Sequence, residues 1–167
     1  MDYTDQTTVI IGVIISNAVA LTMFYLSWKK IAMARLFFFL LFSWAAITNM
    51  FTAIYSPSHY LEYADFAILP IYRDFILGFF SRHITTLVLL VASCQLIIAI
   101  SMLLKGNTFK LGCVGGMIFL ISILPLGFGS GSPAPLIWCV ALYILFKKNV
   151  QLYWWKSLRS EASVNDD

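Results

Sequence analysis

Ile84-Thr-Thr-Leu-Val-Leu-Leu-Val-Ala-Ser-Cys-Gln-Leu-Ile-Ile-Ala-Ile-Ser-Met-Leu-Leu104 runs uncharged between His83 and Lys105-Gly106-Asn107. The hydrocarbon core of a bilayer is about 30 Å thick, and a helix crosses it in about 20 residues. The stretch therefore reads as a transmembrane helix, and the same test applied outward finds four more. Thr8 to Trp28 is uncharged and stops at Lys29-Lys30; Leu36-Phe-Phe-Phe-Leu-Leu leads to Ile54-Tyr55, where Ser56-Pro57 ends the run. A fourth span covers about residues 111–128. A fifth starts at about 134 and is expected to continue past Lys147-Lys148 to Trp154-Trp155, with the two lysines reaching back to the interface. The expected fold is all-α: a polytopic membrane bundle with spans at about 8–28, 36–55, 84–104, 111–128 and 134–154, in one domain over 1–167.

Composition agrees. Of 167 residues 60% are hydrophobic and 11% charged, against about 45–50% and about 25% in soluble domains. Mean hydropathy is +0.85. A soluble enzyme and a disordered chain are both excluded.

Charge placement predicts orientation. With the N-terminus outside, Lys29, Lys30, Arg35, Lys105, Lys110, Lys147, Lys148, Lys156 and Arg159 face the cytoplasm, and Arg73 and Arg82 face outward with Asp2, Asp5, Glu62, Asp65 and Asp74. This satisfies the positive-inside bias, and the inverted topology violates it. The expected location is the inner (plasma) membrane, N-terminus out and C-terminus cytoplasmic. The leader Met1-Asp-Tyr-Thr-Asp-Gln is acidic, the reverse of a secretory n-region, so the first span reads as a retained helix.

The segment 56–83 between the second and third spans is apolar for a linker. Ser56-Pro57 reads as a helix start. Leu61, Ala64 and Ile68 share one face, with Glu62 and Asp65 on another. Pro70 breaks the segment, after which Arg73, Asp74, Ser81 and Arg82 gather on one half of a second short helix. Two amphipathic helices on the outer surface are expected. They hold His59, Glu62, Asp65, Arg73, Asp74, Arg82 and His83, which could roof a polar site or simply face water and headgroups.

Within the spans the amides Asn17, Asn49 and Gln95 need partners, so they should point into the bundle, either as interhelical hydrogen bonds or as a ligand site. No acid, base or histidine lies at central depth, which argues against a proton or ion relay. Gly12, Ser16 and Ala20 form one small-residue stripe, and Gly112-x-x-x-Gly116 forms another that could serve the bundle or a dimer. Pro125 should kink the fourth span, and Gly127 to Pro135 reads as an external turn. Cys94, Cys113 and Cys139 have no redox or zinc spacing and read as small buried hydrophobes. No catalytic constellation and no metal-ligand cluster stands out, no cofactor is identifiable, and nucleic-acid binding has no support.

From Arg35 onward the chain resembles the DoxX-like small bacterial membrane proteins. The resemblance is carried by Arg35-Leu-Phe-Phe-Phe-Leu, Asn49-Met, Ser56-Pro57, the amphipathic outer segment, Gln95-Leu-Ile-Ile-Ala-Ile-Ser-Met-Leu-Leu-Lys-Gly106, Lys110-Leu-Gly112 and Leu124-Pro-Leu-Gly127. It covers about residues 35–148 and implies a four-helix bundle, here preceded by one further helix. Some members are associated with redox or quinone-linked complexes. Where the family often carries an acid in its second helix this chain has Gln95, so no acid–base role is carried over. The expected function is an integral membrane accessory protein or subunit binding a lipid, a quinone or a partner protein in its bundle. A small transporter or channel-like protein, for which a homo-oligomer could build the pore, and a membrane component of a quinone-linked redox complex are the alternatives.

Overall fold

The computed structural model describes residues 3–148 and 150–163, and all their regular structure is helical. Asp2, named above among the external acids, lies outside these residues. Helix α1 (Tyr3–Lys29) and α2 (Ile31–Tyr55) are joined at Lys30. A 3₁₀ segment (Pro57–Glu62), α3 (Tyr63–Phe66), α4 (Pro70–Phe75) and a π turn (Ile76–Phe80) make the connection, four short segments where two helices were expected. Helices α5 (Ile84–Leu103), α6 (Gly106–Ile123) and α7 (Ala134–Lys147) follow, and α8 (Trp154–Ser163) ends the described chain. Four helical stretches, Ile10–Lys29, Ile31–Tyr55, Ile84–Leu103 and Gly106–Gly127, are long and apolar enough to cross a membrane.

Helices α1, α2, α5, α6 and α7 pack as a closed ring: α2 on α5, α5 on α6, α6 on α7, α7 on α1 and α1 on α2. Met23, Phe38, Phe42, Ile98, Met102, Phe109, Leu120, Leu142 and Leu145 fill its centre. Lipid tails are as apolar as these side chains, so dispersion and shape rather than the hydrophobic effect hold the ring. The outward positions, Trp44, Leu90, Ile97, Leu111 and Ile118 among them, are exposed apolar side chains, suited to a bilayer.

The GxxxG stripe is used inside the ring. A Cβ on Gly112 would collide with the side chain of Ser101 on α5, and one on Gly116 would lie 2.7 Å from Leu142 Cδ1 and 3.1 Å from the Phe42 ring. Gly12 has nothing within 4 Å of an added Cβ, so the first stripe makes close contact only further along, where Ala20 is buried.

Two expectations fail at the ends of α7. Helix α7 stops at Lys147, and Lys148 is extended (φ −76°, ψ 138°), so the predicted continuation to Trp154-Trp155 is absent and a separate helix begins at Trp154. Its 14 residues rise about 21 Å, short of a bilayer core. The chain between α6 and α7 is also more than an external turn. Helix α6 gives way at Leu124-Pro125 to a 3₁₀ stretch broken at Gly127 (φ 60°, ψ −130°). Gly131 then reaches halfway down α1, its carbonyl 3.4 Å from Ser16 Oγ. Irregular backbone in a membrane protein is tolerated where protein covers it, and here the connection 56–83 does so: Ile68 N–H donates to Pro125 O at 2.8 Å. Among the cysteines, Cys113 is buried and Cys139 half-buried, whereas Cys94 is exposed on α5.

Candidate ligand site at the lid end of the bundle

The connection 56–83 closes one end of the ring, here termed the lid end; Lys29, Lys30, Lys105, Lys147 and Lys148 mark the opposite, basic end. Tyr72 OH donates to Ser122 O at the end of α6 (3.0 Å), and Thr85 Oγ1 donates to Ala53 O across α2 and α5 (3.1 Å). Tyr60, Leu61 and Phe80 pack on buried Ala53, Ile84 and Val88. The Tyr60 ring meets Phe80 edge-on at 6.3 Å. Leu61 and Ala64 face inward as their spacing predicts, while Ile68 of the same triplet is exposed.

Beneath this lid the two amides predicted to seek partners find each other. Gln95 on α5 is 1% exposed, and its Oε1 accepts from Asn49 Nδ2 at 2.8 Å. Asn49 Oδ1 in turn accepts from Tyr60 OH at 2.9 Å, with the Asn49 carbonyl 3.2 Å from the same hydroxyl. The result is a polar chain from mid-α5 through α2 to the lid. It forms because an amide away from water has few alternatives to another polar side chain.

A cavity of about 280 Å³ lies beside that chain, lined by Thr48, Asn49 and Thr52 of α2 and by His59, Tyr60, Glu62, Tyr63 and Phe66 of the lid. The spacing of 48, 49 and 52 puts those three side chains on one helical face. His59 Nδ1 is 2.7 Å from Glu62 Oε1, with both side chains about two-thirds exposed (66% and 65%), so this pair is screened and holds little together by itself. Burial pushes the Tyr60 hydroxyl above its ordinary pKa, with Tyr63 adding to the shift and the hydrogen bond with Thr52 opposing it. Tyr63 is raised by burial and then by the Glu62 carboxylate. Both phenols are thus neutral donors at physiological pH. The cavity offers hydroxyls, a carboxylate and aromatic faces, which suit the polar head of an amphiphile.

Of the residues singled out in the sequence, the structure brings Asn49, Gln95, His59 and Glu62 together. Asn17 is apart: its Nδ2 donates to Val13 O in its own helix (2.8 Å) and reaches the Gly131 carbonyl at 3.5 Å. It pins the α6–α7 connection instead of joining the amide pair. Asp65, Arg73, Asp74, Arg82 and His83 are exposed and do not line the cavity. The His83 ring lies 5.0 Å from that of Phe79. Among the described residues no three of His, Cys, Asp and Glu group as metal ligands.

The sequence reading missed Tyr60, Tyr63, Thr48 and Thr52 as site residues. The signal available was their spacing: 48 and 52 share the Asn49 side of α2, and 60 and 63 lie among residues already noted. It also placed Arg35 at the membrane edge, whereas Arg35 lies within α2 and is fully buried. Its Nε, Nη1 and Nη2 donate to the carbonyls of Met102 (2.8 Å), Leu152 (3.1 Å) and Leu104 (2.6 Å). The Phe109 ring lies 5.0 Å from its guanidinium carbon. Comparison with known proteins adds no relative: no family model, no curated protein and no solved structure matches the chain.

Proposed function

We propose that this chain is a non-catalytic integral membrane accessory protein or subunit of the DoxX-like type, which binds a lipid or quinone headgroup at the lid end of its bundle. It threads the plasma membrane five times, with α7 and its irregular approach together making the fifth crossing, the N-terminus outside and the C-terminus cytoplasmic. The single observation that carries the reading is the 280 Å³ cavity lined by Asn49, whose amide is bonded to Gln95. It lies where the lid meets the bundle, so a ligand's polar head could enter it while its tail stays in lipid. The charge distribution, with lysines gathered at the basic end, supports the orientation.

The test is to identify what the purified protein retains. Native mass spectrometry and solvent extraction of the wild type should find one lipid or quinone in near-stoichiometric amount. Thr52→Trp, which fills the cavity from its α2 side, should lose that species while keeping its thermal unfolding temperature. Gln95→Leu should weaken retention more than it weakens insertion into the membrane. Equal retention by wild type and Thr52→Trp would contradict the reading.

A further inference from the structure

The lid-end site makes no use of the opposite end of the molecule, where the chain after α7 is held in an unusual number of ways. Gly106 N–H donates to Val150 O (2.9 Å), Arg35 Nη1 to Leu152 O (3.1 Å) and Trp154 Nε1 to Ala32 O (2.8 Å). Lys105 Nζ lies 4.9 Å from the centre of the Tyr153 ring, which stacks on Trp155 at 4.8 Å and 5°. The start of α8 is therefore fixed against the ends of α2 and α5.

Helix α8 is ten residues, Trp154-Trp-Lys-Ser-Leu-Arg-Ser-Glu-Ala-Ser163, about 15 Å long and too short to cross a membrane. At 100° per residue Trp154, Trp155 and Leu158 fall in one stripe, while Lys156, Arg159 and Ser160 fall opposite. The bundle covers that stripe only in part: Trp155 is 48% and Leu158 37% exposed. Charge around it is one-sided. Lys29, Lys30, Lys105, Lys147, Lys156 and Arg159 are exposed at this end, and Glu161 is the one acid between Phe75 and Asn165.

An apolar stripe with tryptophans, flanked by cations and held at the edge of a membrane bundle, matches a bilayer interface. We propose that α8 lies in the plane of the membrane surface with Trp155 and Leu158 in the headgroup–acyl boundary, and that the surrounding lysines and Arg159 bind anionic phospholipid. Ammonium and guanidinium groups meet headgroup phosphates there, and each cation near an anionic surface strengthens binding about fivefold. The inference does not depend on the lid-end cavity, nor on which side of the membrane the basic end faces.

Spin labels at Leu158→Cys and Lys156→Cys test it, in the full chain carrying Cys94→Ser and Cys139→Ser and reconstituted in nanodiscs containing phosphatidylglycerol. The label at 158 should collide more with oxygen than with a water-soluble nickel chelate, and the label at 156 the reverse. Lys156→Glu with Arg159→Glu should lower retention of phosphatidylglycerol relative to phosphatidylcholine, roughly 25-fold at about fivefold per cation. These positions lie outside the packed core, so bundle unfolding should not change. Equal nickel accessibility at 158 and 156, as expected of a helix in water or of one awaiting a protein partner, would overturn the proposal. So would unchanged phosphatidylglycerol retention in the double variant.

Discussion

A guanidinium near the start of a membrane helix either reaches back to water or is satisfied inside the protein, and Arg35 takes the second course. The carbonyls of Met102 and Leu104, two of its acceptors, belong to the last turn of α5 and its C-cap, where helix carbonyls lack intrahelical donors and carry the negative end of the dipole. The third acceptor, Leu152 O, ties down the approach to α8. Arg35→Met should therefore orphan three carbonyls, each costing about 1–3 kcal/mol when buried, and lower the unfolding temperature measured by circular dichroism in detergent. Arg35→Lys should lose less than Arg35→Met but more than nothing, because one ammonium cannot reproduce the planar fork. At the lid end, Tyr60 has a raised pKa, so the folded state holds its proton more tightly than the unfolded state does. The stability this contributes is complete below about pH 10, the ordinary tyrosine value, and is lost as pH rises through the folded value. The absorbance titration of wild type minus Tyr60→Phe should show a phenol ionising above about pH 10.

Among the helices, the two small-residue stripes make opposite predictions. Gly116→Ala should cost about 1–3 kcal/mol, because its Cβ meets Leu142 and Phe42 in a packed interior. Gly12→Ala has open space and should be neutral or stabilising by up to about 1 kcal/mol from helix propensity; parallel thermal unfolding of the two variants checks both. The crossing helices were legible because some twenty uncharged residues have few other uses, and the lid because Ser56-Pro57 and Pro70 punctuate an amphipathic pattern. The Asn49–Gln95 pairing was foreseeable as a need for partners, though not as a particular contact. The break at Lys148 was not legible: Val150, Leu152, Tyr153 and Trp154 continue the apolar composition, and a tertiary demand, the carbonyls offered to Gly106 and Arg35, decides against the helix. Arg35 was hidden for a related reason, since composition does not distinguish a cation at a boundary from one buried five residues into a helix. Asn17 was misplaced because the depth reached by Gly131 depends on the kink after Pro125.

For the whole molecule, the ring of α1, α2, α5, α6 and α7 separates two unlike ends. One holds the lid and the amide-floored cavity; the other holds the lysines, Arg35 and α8. The proposed five crossings, an odd number, would place the two termini on opposite sides of the membrane. Single cysteines at Asp5→Cys in the first turn of α1 and at Ser160→Cys on the polar side of α8 test this directly, labelled with an impermeant maleimide in intact cells and again after permeabilisation, in the chain carrying Cys94→Ser and Cys139→Ser. The account predicts that position 5 reacts in intact cells and position 160 only after permeabilisation. Labelling of both positions in intact cells, or of neither, would contradict it.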